Sequence, residues 1–520
     1  MRKWLPLTAV CLGAFMLLVD VTIVTVALPD MAADMAADPS FGGFSALQWV
    51  MDVYALALAA LLLGAGSLAD RIGRRRVYLA GLGLFAAASL ACGLATGPAE
   101  LIAFRAVQGI GGAAMFATTM ALLSSAYQGR DRGVAFGVWG AVNGAAAAAG
   151  PIIGGLLTEQ FGWRWIFFIN LPVCALAVYV TLKAVAESRA PRAGRLDLPG
   201  MATFTTGAAA LTYAVIRVGE NGWSSPTTLA LLGLGVAAFG AFVLVELRSA
   251  HPMLDLSLFR SPTFVAVMAA GLLLSGAAFS YLMYVSLWLQ SAEGMGPVGG
   301  GLVLLPLSAA GFVVAAVAGR LLHGVPPRLT IGGGLLLIGV GALLQAWMLD
   351  AGDGWSALVP GLLVTGVGVG AATPALAATA MGAVAPARAG MAGGALNTAR
   401  QLGTALGIAV LGAVFHAGLR SGLGEGGRDL AEPLASGGAG QLLAEAPAGA
   451  AREALTGLVE AAFANGLRET FLASAAMGLA GALTVFLLLR GGTPDTAAGI
   501  PRARTKSPEP AGAVAPPARN

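Results

Sequence analysis

Charge is what this chain has least of. Of its 520 residues, 11% are charged and 57% are hydrophobic, with a mean hydropathy of +0.80. A soluble globular protein carries about 25% charged and about 45–50% apolar residues, so a soluble fold of this length could not cover its surface. Cysteine is confined to positions 11, 92 and 174, all inside apolar runs, which argues against a disulfide framework. The histidines, His251, His323 and His416, stand apart at the edges of runs, with no metal-ligand spacing. There is no phosphate-cradling Walker loop. These gaps disfavour a membrane enzyme and an ATP-driven pump, and the short tail holds no signalling domain for a sensor. No basic, aromatic-interleaved face is present for nucleic acid. The 75 glycines follow no Gly-X-Y period, which excludes collagen.

What is present is a succession of apolar runs. A bilayer core about 30 Å thick needs roughly 20 apolar residues per helix. Fourteen runs of roughly that length begin near residues 7, 47, 77, 100, 133, 165, 200, 226, 262, 297, 330, 356, 390 and 466. Strand-period alternation is absent, so an outer-membrane barrel is not a rival. Arg2 and Lys3 precede the first run, as in a signal peptide. That run is long for an h-region and contains Asp20, so it reads as a retained helix.

Lysine and arginine set the orientation. Arg71, Arg74, Arg75 and Arg76 follow run 2, Arg130 and Arg132 follow run 4, and Lys183, Arg189, Arg192 and Arg195 follow run 6. Arg248 and Arg260 follow run 8, Arg320 and Arg328 run 10, and Arg388 run 12. The alternate short connections carry only Arg164 and Arg217, and 29–46 holds Asp30, Asp34 and Asp38 with no cation. Both termini are therefore expected in the cytoplasm, in a multi-pass protein of the cytoplasmic membrane. One outer connection, 417–465, is long and holds segments suited to short amphipathic helices. The Pro-, Ala- and Arg-rich tail 491–520 reads as disordered.

An ionisable side chain at membrane depth costs at least about 2.5–3.5 kcal/mol and is a functional candidate by default. Asp20 lies about 12 Å below the outer end of run 1, and Asp52 about 7 Å below that of run 2. Arg105 stands at a comparable depth in run 4. Arg105 can neutralise Asp20, and protonating Asp20 would release it, as a proton-linked switch requires. A kink-bonded Asp20, an Asp52 in a wet vestibule and a purely structural Arg105 pair are the plainer readings. Asn397, Arg400 and Gln401 share a face near the middle of run 13. They suit either a network joining helices or substrate contact, as does Asn143 in run 5. Tyr54, Tyr281, Tyr284 and Trp288 can stack on a drug or simply pack helices.

Run 5 carries Gly140 and Gly144, then Gly150, Pro151, Gly154 and Gly155. Small residues let helices approach, and the proline bends the chain. Between runs 2 and 3 stand Gly66, Asp70, Arg71, Gly73, Arg74 and Arg75. Asp70 among so many arginines reads as a charge lock made in one conformation and broken in another. Anchoring alone would account for the arginines but not for the Gly-x-x-x-Asp spacing.

Together these stretches resemble the major facilitator superfamily, in particular its fourteen-helix drug:proton antiporters, which include quaternary-ammonium and multidrug efflux pumps. Residues 66–78 are similar to that superfamily's loop 2–3 motif. Leu101 to Gly112, with Arg105, Gln108 and Gly109, are similar to its helix 4 motif linked to proton transfer, and Gly144 to Gly155 to its helix 5 antiporter motif. Asp20 to Pro29, 49–56, 162–172 and 397–403 resemble further segments of that branch. The resemblance implies an all-α integral membrane fold of 14 transmembrane helices: two six-helix pseudo-repeat bundles plus two extra helices. The bundles would occupy 1–190 and 256–490, and the extra pair 191–255. It implies proton-coupled export of hydrophobic compounds, cationic drugs or antiseptics in particular. Asp20 would carry the proton with Arg105 as modulator. Asp20, Asp52, Tyr54, Asn143, Tyr284, Asn397, Arg400 and Gln401 would meet the substrate. Gly66, Asp70, Arg71, Gly73, Arg74, Arg75, Gly144, Gly150, Pro151, Gly154 and Gly155 would serve the conformational switch. No cofactor or metal is expected, the proton gradient being the energy source. The partners are small hydrophobic or cationic compounds, protons and lipid, with a monomer favoured. Export of one endogenous metabolite or antibiotic is the alternative. The chain departs from the pattern between runs 10 and 11, where His323 stands in place of an acid, and runs 9 and 10 carry no carboxylate.

Overall fold

In a computed structural model, residues 2–489 are described apart from 36–43, 190–196, 223, 251, 322, 323, 351, 353, 386, 387, 425–429, 436–438, 446 and 448. The tail 491–520 and His323 and His251 thus lie outside the described residues. The regular elements among the described residues are all helical. In lipid a helix satisfies its own backbone hydrogen bonds, which is why apolar runs of this length fold this way.

The first half contains α1 (Leu5–Met35), α2 (Phe44–Ile72), α3 (Arg74–Leu94), α4 (Pro98–Ala126), α5 (Gly129–Phe161), α6 (Trp165–Phe168) and α7 (Asn170–Ala184). A hairpin follows, α8 (Leu198–Asn221) and α9 (Pro226–Arg248). The second half contains α10 (Pro262–Phe279), α11 (Leu282–Ser291), α12 (Pro297–Leu321), α13 (Pro327–Met348), α14 (Val359–Gly382), α15 (Ala389–Leu423), α16 (Ala431–Ala435), α17 (Ala439–Glu445) and α18 (Ala450–Leu488). Taking α6–α7 and α10–α11 each as one broken rod, the described residues form fourteen long rods. Twelve spans among them are apolar enough to cross a membrane, and α5 and α8 are not among those twelve.

The expected outer connection 417–465 is shorter than its composition indicates. Helix α15 continues to Leu423 and α18 begins at Ala450, so that Ala451–Leu455 opens a long helix instead of forming a short one. Among the described residues between them stand the short helices α16 and α17.

One apolar core runs through both halves at the arginine-rich end, while toward the opposite end each half has its own, and leucines such as Leu94, Leu156, Leu247 and Leu487 point outward as a lipid-facing belt. The α8–α9 hairpin is held by Phe204 against Phe239 and Phe242. It leans on α2, where Thr205 Oγ1 donates to Ala60 O at 3.3 Å. Leu229, Val236 and Leu247 of α9 are exposed, which places this hairpin at the periphery.

Close helix approach depends on missing side chains. A Cβ on Gly403 of α15 would land on the Leu272 carbonyl of α10, whereas one on Gly83 would meet nothing within 4 Å. Backbone cannot step aside as a side-chain tip can. Gly403→Ala should therefore cost about 1–3 kcal/mol and lower the midpoint of thermal unfolding in detergent. Gly83→Ala should leave the midpoint unchanged or raise it, because alanine is the better helix former.

Candidate functional site

Asp20 is fully buried inside the first half, enclosed by α1, α2, α3, α4 and α7. Its Oδ2 accepts from Arg105 Nη1 at 2.5 Å, and its Oδ1 accepts from Gln108 Nε2 and Asn170 Nδ2, each at 2.9 Å. Helix α4 puts Arg105 and Gln108 one turn apart on the same face, and Arg105 Nη1 also donates to Gln108 Oε1 at 2.7 Å. Arg105 Nε donates to the Val50 carbonyl at 3.0 Å. Ser89 Oγ accepts from Gln108 at 3.2 Å and from Asn170 at 2.8 Å, and donates to Phe167 O at 2.9 Å. Tyr54 lies flat against the guanidinium, with Arg105 Cζ 4.2 Å from the ring centroid. Every group facing Asp20 is a donor, so the arrangement suits the ionised carboxylate. These three donors take three of the carboxylate's roughly four lone-pair positions, so an added proton would enter at the remaining Oδ2 position and weaken the charge-assisted bond from Arg105.

Asp20 and Arg105 are thus directly paired. Tyr54, expected beside a drug, is buried beneath Arg105, and its hydroxyl has no partner. Helix α2 includes Asp52, but its side chain is outside the described residues. Residue selection from the sequence missed Ser89 and Asn170 as part of this network. Asn170 lies within the quoted 162–172 motif. Ser89, one small polar residue in an alanine-rich run, carries no local mark.

The second cluster lies at the arginine-rich end. Asp70, at the last turn of α2, accepts from Arg74 Nε at 2.9 Å and Nη2 at 2.7 Å. Its two oxygens also accept from the backbone amides of Gly390 and Met391, both at 2.9 Å. These are free amides in the first turn of α15, where a helix has unsatisfied donors and favours an anion. Asp70 thereby ties the first half to the second. Gly66 lets the helices meet, because a Cβ there would lie 2.6 Å from Gly390 O. Asn397 adds a bond across the same seam, donating to Phe116 O of α4 at 3.1 Å. The other arginines take separate posts. Arg75 donates to Leu182 O at 3.0 Å and Arg76 sits 3.8 Å from Glu187. Arg71 is half-buried. Gly73 turns the chain at φ +121° beneath the Glu187 carboxylate, a conformation that favours glycine. The structure is closed at this end.

Gly150 and Gly154 hold α5 against α1: a Cβ on Gly150 would land on Thr22, and one on Gly154 would lie 2.9 Å from Ile23. Gly144 faces Ser308 O of α12 at 3.6 Å on the same construction. Gly155 is buried, and the Pro151 side chain is outside the described residues. In the second half Tyr284 donates to Ile408 O at 2.6 Å. Tyr281 is fully buried and Trp288 nearly so. Arg400 and Gln401 are half-buried, as is Asn143 across the seam on α5. Arg164, an exception to the charge pattern, pairs with Asp34 at 2.7 Å, and Trp163 donates to the same oxygen at 3.1 Å. These two donors hold the Asp34 carboxyl below its usual range.

Two helical halves joined edge to edge, one enclosing an ion pair at membrane depth, are the build of a membrane transporter. The chain belongs to the Major Facilitator Superfamily, whose family model matches residues 10–408. It is 39% identical over 421 residues to the multidrug resistance protein Stp of Mycobacterium tuberculosis, covering 81% of this chain and 77% of that one. To the tetracenomycin C resistance and export protein of Streptomyces glaucescens it is 36% identical, over 80% and 76% of the two chains. To the puromycin resistance protein of Streptomyces alboniger it is 37% identical, over 79% and 82%. The crystal structure of the human organic anion transporter MFSD10 matches with a TM-score of 0.62 at 16% identity, over 93% of this chain and 99% of that one. At that identity the likeness speaks for the fold alone.

Replacing Asp70 by Asn removes the charge that Arg74 and two amides share. Exchange of the Gly390 and Met391 amide hydrogens should then rise roughly 10- to 100-fold, for the loss of roughly 1.5–3 kcal/mol of charged hydrogen bonding. Hydrogen exchange of the purified protein measures this. Unchanged protection would show that Asp70 does not hold the two halves together.

Proposed function

We propose that this protein is a proton-coupled antiporter. It exports hydrophobic compounds, cationic drugs and antiseptics among them, across the cytoplasmic membrane by alternating access. The observation that carries this reading is the enclosed Asp20 carboxylate, held by donors from Arg105, Gln108 and Asn170. Protonation cancels the charge that Arg105 neutralises and weakens the charge-assisted bond between them. The network then rearranges through α4. That helix also carries the Phe116 carbonyl held by Asn397 of the other half, so a shift of α4 reaches the closed seam. Asp70 and its amide partners form the other tie that must break as the halves rock. In this reading the arginine-rich end and both termini face the cytoplasm, the closed seam shuts off that side, and the protein works as a monomer without a cofactor.

Cationic cargo was expected from Asp20 and Asp52 together. Asp20 is enclosed with Arg105 in this state, so selectivity for cations rests on Asp52. Dedicated export of one endogenous antibiotic is the second reading. The relatives named for tetracenomycin C export and puromycin resistance favour it, and the relative named for multidrug resistance favours the first.

Inverted vesicles test the coupling. An acid-inside gradient should drive ethidium uptake by the wild type, and a protonophore should abolish it. Breaking a buried pair costs about 3–5 kcal/mol, so Asp20→Asn needs a folding control. Its gradient-free exchange of ethidium should persist while gradient-driven accumulation is lost. Accumulation by Asp20→Asn equal to wild type, or uptake driven by ATP after the gradient is collapsed, would overturn the proposal.

A further inference from the structure

Among the described residues, one deeply buried cation of the transmembrane region, Arg400, has no counter-charge. Arg400 stands 11 residues into α15, roughly 17 Å along the helix from its start. Its Nε is buried without a hydrogen-bond partner, and its guanidinium forms no ion pair among the described residues. The other deeply buried cations in this region behave differently: Arg105 is paired with Asp20 and Arg74 with Asp70. A guanidinium at this depth is expensive unless it is paired or borders a wet space.

Its surroundings say which way it faces. The stem packs on Gly271 of α10, where a Cβ would lie 3.4 Å from Arg400 Cγ, and Leu376 of α14 borders the same spot. The side chain therefore lies among α10, α14 and α15 and not against lipid. One turn toward the arginine-rich end, Asn397 makes the bond to Phe116 that closes the seam. Asn143 of α5, in the first half, lies one turn beyond Gly140, which packs near Pro374 of α14. Arg400 and Asn143 thus stand just past the closed floor, one from each half. Both are half-buried. The Oδ1 atoms of Asn143 and Asn397 also lack partners, so the polar groups here are unspent.

We infer that Arg400 anchors an acidic group of the exported compound: a carboxylate, phenolate or enolate on an otherwise hydrophobic molecule. This rests on the transport reading above and names its cargo class. A guanidinium offers a planar fork of donors that a carboxylate meets with two parallel hydrogen bonds. The Asn143 amide, across the seam, is the acceptor for a hydroxyl or amide of the same compound. Among the described residues no acid balances Arg400, so an anionic group supplies what the protein leaves out. The floor below it is closed, so a compound seated here is reached from the opposite end.

The test uses the purified full chain in detergent and three probes: dansylglycine, its methyl ester and ethidium. Fluorescence anisotropy reads the affinities. The wild type should bind the acid about tenfold more tightly than the ester, the usual scale for one charged hydrogen-bonded contact. Arg400→Gln should lose that preference, binding the acid no more tightly than the ester. Arg400→Lys, which keeps the charge but not the fork, should recover part of it. Equal affinity of the wild type for acid and ester, or for neither, overturns the inference without any variant. So does an Arg400→Gln protein that weakens acid and ethidium alike, since that is a structural defect. Gradient-driven ethidium movement without acid preference would defeat this inference alone. Acid preference without gradient-driven movement of any probe would count against the transport reading instead.

Discussion

An ion pair with neither partner in contact with solvent organises the first half of this protein. Asp20 and Arg105 draw Gln108, Ser89 and Asn170 into one network and bind five helices together. Such a pair is a poor device for stability alone. Replacing a buried pair by well-packed apolar side chains is often neutral or stabilising, whereas removing one partner is severe. The arrangement instead makes the packing of α1 against α4 conditional on one negative charge. A change of a single proton is then felt by every helix that donates to it.

Helix α4 gives that dependence a direction. Arg105 and Phe116 lie 11 residues apart on it, so the network and the seam between the halves are about 16 Å apart along one rod. The seam is held by few polar bonds, and the strongest uses no partner side chain from the second half. Asp70 is bound by two backbone amides at the start of α15. A helix N-terminus is a rigid acceptor of negative charge, and it can be left without disturbing side-chain packing. Close glycine contacts at Gly66 and Gly390 bring the backbones near enough for it. Few bonds, each strong, suit the making and breaking of this contact that the proposed alternating access requires.

Much of this was written in the residues. Apolar length marked fourteen rods, and the spacing of arginines marked one common end. Asp20 and Arg105, two charges at similar depth in runs 1 and 4, were legible as a pair because neither could be left alone in lipid. Other features had no sequence signal of their own. The partners of Asp70 are backbone amides 320 and 321 residues away, and amides carry no residue identity. Ser89 is one hydroxyl in an apolar run. Tyr54 was open to two readings, stacking on a drug or packing between helices, with nothing local to choose between them. The cation it meets is Arg105 of the same bundle. Run 14 was placed near 466, whereas α18 starts at Ala450 and carries Glu453, Glu460, Arg468 and Glu469. Those charges decorate a helix that extends past the apolar segment, with Arg468 paired to Asp350.

The central claim is that one proton on Asp20 is traded as cargo binds. Direct measurement of protons is its sharpest test. Purified protein in weakly buffered detergent solution is mixed with a transported compound while a pH electrode records the change. The account predicts a stoichiometric change in bound protons for the wild type and none for Asp20→Asn, with binding of the compound still detectable. Equal proton change in the two proteins would place the exchanging group elsewhere and contradict the account.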